Sequence, residues 1–478
     1  MSDTNDIKPA GNNRKKSEIL GMYEGRVLPV LIRLAVPMLL GMVVQLVYNI
    51  TDTIFVSRID LSDPSYVGGT GIIFPIIFLA MAVASGLAVG MSSMVARAIG
   101  ERNDDILGKT AESGLIIAIT LSAVLIFLFY TFADQAISLL GARGDYFVHA
   151  KEYLMFIIPA GVTMFVLHVF VGILQGEGLM KYVMVSMFIG TIGNIILDPI
   201  FIFGLGMGVS GAALATAIAQ TIAAVYVIFV FLNGKSVVRV EFRLKNVSMK
   251  VIRQILSIGI PQTLSMILLS FTFIIINRIA VSIDPTALTA FSLTGRIDQA
   301  VLIPVFAISS AMVTMLGQNA GRGRLDRVRE VWKTAMVSEV IVVASIAGLL
   351  FILAPFIYDK FTDVDSVLHY AVLQTRIVEF SFVFAGLAIL GRSTFQALGL
   401  PVHSIALMVL RTIAVSIPSA LLLVYVFHMG IYGIWFGLIL GNIASSAVSL
   451  VWASSVIRRM QTGKMAVPTT RNKSTADE

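Results

Sequence analysis

The chain contains no cysteine, which excludes disulfides, thiolate metal sites and cysteine nucleophiles. It is also short of charge. Only 13% of its 478 residues are Asp, Glu, Lys or Arg, where soluble domains carry about 25%. Apolar residues take their place at 57%, with a mean hydropathy of +0.89. A soluble core is excluded on this composition, and an all-α polytopic membrane protein is expected. The N-terminus has neither the apolar core nor the small-residue cleavage site of a signal peptide. Residues 1–26 therefore read as a disordered cytoplasmic tail, and 459–478 read the same way. The net charge of +7 does not point to nucleic acid, because the basic residues sit in short loops between apolar runs, where membrane topology needs them.

A spanning helix needs about 20 apolar residues. Twelve such spans are predicted, at 27–57, 66–98, 109–131, 148–175, 181–203, 209–232, 251–282, 286–317, 327–356, 367–396, 402–426 and 431–457. Pro37 and Pro261 fall inside the first and seventh and are candidates for kinks. Lys and Arg gather in the even loops, such as Arg97, Arg102 and Lys109, or Arg322, Arg324, Arg327 and Arg329. The odd loops hold acids instead, among them Asp60, Asp63, Asp134 and Asp284. This alternation puts both termini and the even loops in the cytoplasm of a multi-pass inner-membrane protein.

The chain repeats itself at an offset of about 221–224 residues. Ile32-Arg-Leu-Ala-Val-Pro37 echoes Leu256-Ser-Ile-Gly-Ile-Pro261, and Met94 to Gly100 echoes Met315 to Gly321. Gln175-Gly-Glu-Gly178 echoes Gln396-Ala-Leu-Gly399, and Gly208-Val-Ser-Gly211 echoes Gly430-Ile-Tyr-Gly433. Four matches in one order argue for two lobes, 27–232 and 251–458, joined by a cytoplasmic linker at 233–250. Six spans per repeat make both lobes enter from the same face. The repeats are then parallel, about an axis along the membrane normal, with a central cavity between them.

The N-terminal half carries two carboxylates inside its apolar runs, Asp52 and Asp198. Such residues are costly in hydrocarbon, at least ~2.5–3.5 kcal/mol each, and mark functional sites by default. Their depths agree. Asp52 lies about five residues, or ~8 Å, from the outer end of span 1, and Asp198 the same distance from that of span 5. Thr216 lies ~10 Å down span 6. Asn194 is one helical turn from Asp198, and Tyr48 one turn from Asp52. Pro199 can free a backbone carbonyl. This layer of oxygens suits a hard cation such as Na⁺ bound by Asp52, Asp198, Asn194 and Thr216. It suits a proton equally well, because burial penalises a charged carboxylate and a second one nearby penalises it further. The plainer alternative is that each Asp only hydrogen-bonds a neighbouring helix.

Asn194-Ile-Ile-Leu-Asp198-Pro199, Gly204 and Gly211-Ala-Ala-Leu-Ala-Thr216 resemble the helix 5–6 signature of the MATE (multidrug and toxin extrusion) family. Pro37 to Asp52 with Phe55-Val56, the Gly172 to Gly178 stretch with Gln175, and the two six-helix repeats are similar to that family too. The resemblance covers roughly residues 20–460. It implies an antiporter that exports cationic or amphipathic organic compounds in exchange for H⁺ or Na⁺. It also implies that Asp52, Asp198, Asn194 and Thr216 form the coupling site of the N-lobe. The chain departs from the family at Ser57, where many members have Gly. It also departs at Asn277 and Leu387, which stand where some members carry a C-lobe acidic pair.

The C-terminal half has further charges near the midplane: Arg296 and Asp298 on span 8, Glu339 on span 9, Glu379 on span 10 and Arg411 on span 11. Buried charges pair, so a mutually neutralising network is expected of them, with Glu379 or Asp298 meeting a cationic substrate as the alternative. His168 on span 4 is a candidate proton relay, or else a packing hydrogen bonder. Gly234-Lys235-Ser236 mimics the end of a phosphate-binding loop but lacks its first glycine and a preceding strand. No cofactor, no ATP and no nucleic acid are expected. A monomer in the lipid bilayer, handling small organic cations, is expected instead. The rivals are a lipid-linked oligosaccharide flippase, which needs a strongly cationic cavity, and a membrane enzyme. The enzyme would need a catalytic cluster that the five scattered histidines do not make.

Overall fold

The computed structural model describes residues 21–470 apart from 61, 62, 64, 242 and 363. The expected tails at 1–20 and 471–478 lie outside the described residues. Helices follow one another along the chain with no strand among the described residues. The N-terminal half contains α1 (Val27–Ser57), α2 (Ser65–Ile72), α3 (Phe74–Glu101), α4 (Asp104–Leu139), α5 (Asp145–Ile157), α6 (Ala160–Glu177), α7 (Met180–Pro199) and α8 (Gly208–Leu232). The other half contains α9 (Met249–Ile283), α10 (Pro285–Gly321), α11 (Leu325–Tyr358), α12 (Asp365–Val378), α13 (Ser381–Ala397), α14 (Pro401–Val409), α15 (Ile417–Leu421) and α16 (Ile431–Gln461). Among the described residues eleven stretches are long and apolar enough to cross a membrane, the run Pro401–Val426 through α14 and α15 counting as one. They become twelve when α12 and α13, bent by 54° at their junction, count as one span.

Several predicted spans are not single rods. The second breaks at Ile73, where Pro75 sits in the first turn of α3 and tolerates only a helix start. The fourth breaks before Ala160, with Pro159 at the junction. The tenth breaks at Glu379 and Phe380, with the Glu379 carboxyl buried in the gap. Phe132 leaves helical geometry inside α4, next to the predicted end of span 3, and the helix then runs on to Leu139. Pro37 and Pro261 stay inside unbroken helices.

The internal repeat is visible as reciprocal contacts. The Ser93 hydroxyl on α3 donates to the Gln396 carbonyl at 2.5 Å. At the equivalent positions of the repeat, the Thr314 hydroxyl on α10 donates to the Gln175 carbonyl at 2.6 Å. Gly100 meets the Gln318 carbonyl, and Gly321 meets the Arg97 carbonyl, so closely that neither has room for a Cβ. Residue i touches j while the repeat of i touches the repeat of j, which is the signature of a two-fold relation. These contacts lie in the halves of α3 and α10 nearest the side where both ends of the described chain sit.

Both ends cross from one lobe to the other on that side. Arg324 donates to the Tyr23 carbonyl at 2.6 Å, and Asn319 donates to that of Met22 at 3.2 Å. The Tyr23 hydroxyl donates to Gln318 under the Arg322 guanidinium, and burial pushes its phenol up. At the other end, Thr470 is held by the Glu101 carboxylate through its backbone N–H (2.8 Å) and its hydroxyl (2.5 Å). Residues 21–26 and 465–470 are thus packed segments, contrary to the reading of 1–26 and 459–478 as free tails. The linker is anchored as well. Glu177 accepts from the Ser236 hydroxyl and from the N–H groups of Val237 and Val238.

Candidate functional site

Asp198 stands at the end of α7, one residue before Pro199. Pro199 cannot donate to the Ile195 carbonyl, and the chain relaxes into a π-helical turn over Ile200–Gly204. Gly211 lets the start of α8 press against that turn, since a Cβ there would meet the Phe201 carbonyl group at 2.8 Å. The approach brings Thr216 onto the Asp198 face of α7. On the far side α1 packs along α7 and carries Tyr48 and Asp52 into the same layer.

Asn194 joins the parts. In the orientation that satisfies both ends of its amide, Nδ2 donates to Asp198 Oδ1 at 2.6 Å and to Oδ2 at 3.0 Å. Its Oδ1 accepts from the Tyr48 hydroxyl at 2.8 Å and the Thr216 hydroxyl at 2.9 Å. Asp198 is 0% exposed and Asn194 3%. The hydrogen bonds of Asn194 therefore replace water that these groups have lost. Asp52 is half-buried and close enough to act electrostatically on Asp198, Tyr48 and Tyr153. The layer contains all five residues expected from the sequence: Asp52, Asp198, Asn194, Thr216 and Tyr48.

It contains a sixth that the sequence reading missed. Tyr153 on α5 lies beside Thr216 and both carboxylates. The signal was available. Tyr153 is about five residues from the outer start of span 4, ~8 Å down, which is the depth of the other residues. The donor set is two carboxylates, an amide and three hydroxyls, and it can hold a proton or a hard monovalent cation. No group of three or more His, Cys, Asp or Glu among the described residues makes a metal centre.

The C-terminal charges behave differently from the network expected of Arg296, Asp298, Glu339, Glu379 and Arg411. No ion pair of the described residues joins any two of them. Arg296 and Asp298 are two residues apart on α10, hence about 200° apart around it. Arg296 is exposed while Asp298 is part-buried beside the Glu379 carboxyl. Glu339 is fully buried against Gly386 of α13, and neither carboxyl oxygen has a partner among the described residues. The Arg411 Nε donates to the neutral Asn442 side chain at 3.0 Å. Shared depth did not imply a shared face. His168 places Nδ1 on the Met164 carbonyl at 2.8 Å, a bond within its own helix.

The MatE family model matches residues 37–200 and again 261–422, one copy per repeat. The chain is 25% identical to the multidrug export protein MepA of Staphylococcus aureus over 91% of its own length and 96% of that protein's. Among solved structures it is similar to an outward-facing multidrug resistance MATE family transporter of the MOP superfamily, with a TM-score of 0.87 and 25% identity, covering 92% of this chain and 98% of that one. It is also similar to a MOP superfamily transporter from Pyrococcus furiosus, noted for the reverse polarity of its binding pocket, with a TM-score of 0.85, 26% identity and the same coverage.

Proposed function

Because the chain belongs to the MatE family of multi-pass membrane transporters, we propose that it is a multidrug efflux antiporter, exporting cationic and amphipathic organic compounds in exchange for H⁺ or Na⁺. The observation that carries this reading is the Asn194-centred layer with its two carboxylates. When neither carboxylate holds a proton or cation, two negative charges sit together away from water, and either coupling ion or an organic cation relieves them. Coupling then follows from unequal binding. With the cavity open to the outside, the ion enters at Asp52 and Asp198, weakens their attraction for the organic cation, and favours its release. With the cavity open to the inside, the ion leaves and the organic cation binds. The two ligands must differ in affinity between the two states for exchange to result. The lobes 27–232 and 251–458 are the moving bodies, and the linker 233–250 holds them together. The protein works as a monomer in the inner membrane, without ATP, with both termini in the cytoplasm by the loop charge pattern.

A lipid-linked oligosaccharide flippase is the weaker reading. Its pyrophosphate head group calls for a cationic cavity, whereas the N-lobe layer is acidic. Binding of a fluorescent organic cation to purified protein tests competition at the site. Wild type should lose affinity as pH falls or as Na⁺ rises, according to the coupling ion, and Asp52→Asn should respond to neither. An organic-cation affinity in Asp52→Asn that still follows the wild-type pH or Na⁺ dependence would move coupling away from this layer.

A further inference from the structure

The C-lobe holds two part-buried arginines that the transport reading does not use. Arg392 lies on α13. Arg411 lies in the π-helical stretch Leu410–Ser416 that continues α14. Both line one small cavity, with Ile389, Leu407, Met408 and Ser445. They are close enough to act on each other electrostatically, and no carboxylate acts on either. No ion pair of the described residues includes them. Arg392 Nε is buried with no hydrogen-bond partner, and its Nη1 reaches only the Met408 sulfur at 3.6 Å. Sulfur is a weak acceptor. Arg411 has only a neutral amide, Asn442, as the acceptor for its Nε.

Two like charges held together, one of them with a buried and unpartnered Nε, repel and lack a compensating charge. The fold does not demand them. At the repeat offset of 221 residues the N-lobe carries Val171 and Gly190 instead. Nor is the backbone around Arg411 ordinary helix, and π-helical turns gather at functional positions. The cavity that both arginines line has about 10 Å³ of space, enough for one particle of roughly water size. Ser445 offers a hydroxyl at its edge.

We infer that Arg392 and Arg411 form a binding site for a small monovalent anion of the halide class. The anion supplies the counter-charge that the protein withholds, and it ties α13 to the α14 segment. The space excludes organic anions and bulky oxyanions. The phosphate of an anionic phospholipid shares the charge chemistry but not the size.

The test uses the full chain, purified in gluconate and unfolded by heat at constant ionic strength. Chloride or bromide should raise the midpoint saturably by about 2–5 °C, and sulfate should not. Arg392→Gln should abolish the rise. Crystals grown in bromide should show an anomalous peak between the two guanidinium groups, which tests the site even if Arg392→Gln fails to fold. A midpoint indifferent to halide, or bromide crystals without that peak, would overturn the inference. So would a midpoint raised only by phosphatidylglycerol, which would give the arginines to a lipid head group.

Discussion

Asn194 controls the acidic layer because its amide both gives and receives there. Its amide donates to the buried Asp198 carboxylate and accepts from Tyr48 and Thr216. Asn194→Leu keeps the volume and removes all four contacts. It should cost roughly 1–3 kcal/mol of stability, read as a lower unfolding midpoint in detergent, and it should uncouple efflux from the ion gradient. Tyr153→Phe is milder. It deletes the hydroxyl that lies beside both carboxylates and leaves the ring, so the protein should fold normally. The pH or Na⁺ midpoint of its efflux should nevertheless move, and an unchanged profile would remove Tyr153 from the site. This layer was readable in the sequence because helical rise converts position into depth, and five polar residues fell at one depth. Rise says nothing about which side of a helix faces a neighbour. For that reason the same arithmetic brought Arg296, Asp298, Glu339, Glu379 and Arg411 to one level, while only Asp298 and Glu379 meet.

Among the helices, apolar length located each span well, and the breaks within spans were harder to see. Pro75 and Pro159 explain two of them after the fact. The break at Glu379 has no proline, and its carboxyl is buried in the gap. Small residues set how closely elements approach. Gly386 of α13 lies directly under the Glu339 carboxyl of α11. Gly386→Ala should therefore lower the unfolding midpoint, with an overpacking cost of about 1–3 kcal/mol. Glu339→Ala in the same chain should recover part of the loss, since the methyl then fills the vacated space. A double mutant no better than the sum of the singles would show that the two residues are not coupled.

Across the whole molecule, the two-fold relation makes the lobe interface nearly self-complementary. The Ser93 and Thr314 bonds are the same bond made twice. Each contributes about 0.5–1.5 kcal/mol to closure on the side of the chain termini. Ser93→Ala and Thr314→Ala should loosen that closure by similar amounts, and the double mutant by about their sum. The native chain has no cysteine, so Asp105→Cys and Lys333→Cys can be spin-labelled in these backgrounds. The distance distribution between the labels should gain a longer population in each mutant. The repeat that organises this interface was legible from four short sequence echoes. The crossing of residues 21–26 and 465–470 between lobes was not, because polar terminal segments look alike whether they pack or not.

The central claim is that Asp52 and Asp198 couple ion entry to organic-cation export. The most direct measurement is efflux of a fluorescent organic cation from proteoliposomes, with a pH gradient and a sodium gradient imposed separately. Wild type should export under at least one gradient, and Asp52→Asn/Asp198→Asn should export under neither while still unfolding at a near-native temperature. Gradient-driven export that survives in the double mutant would contradict the account.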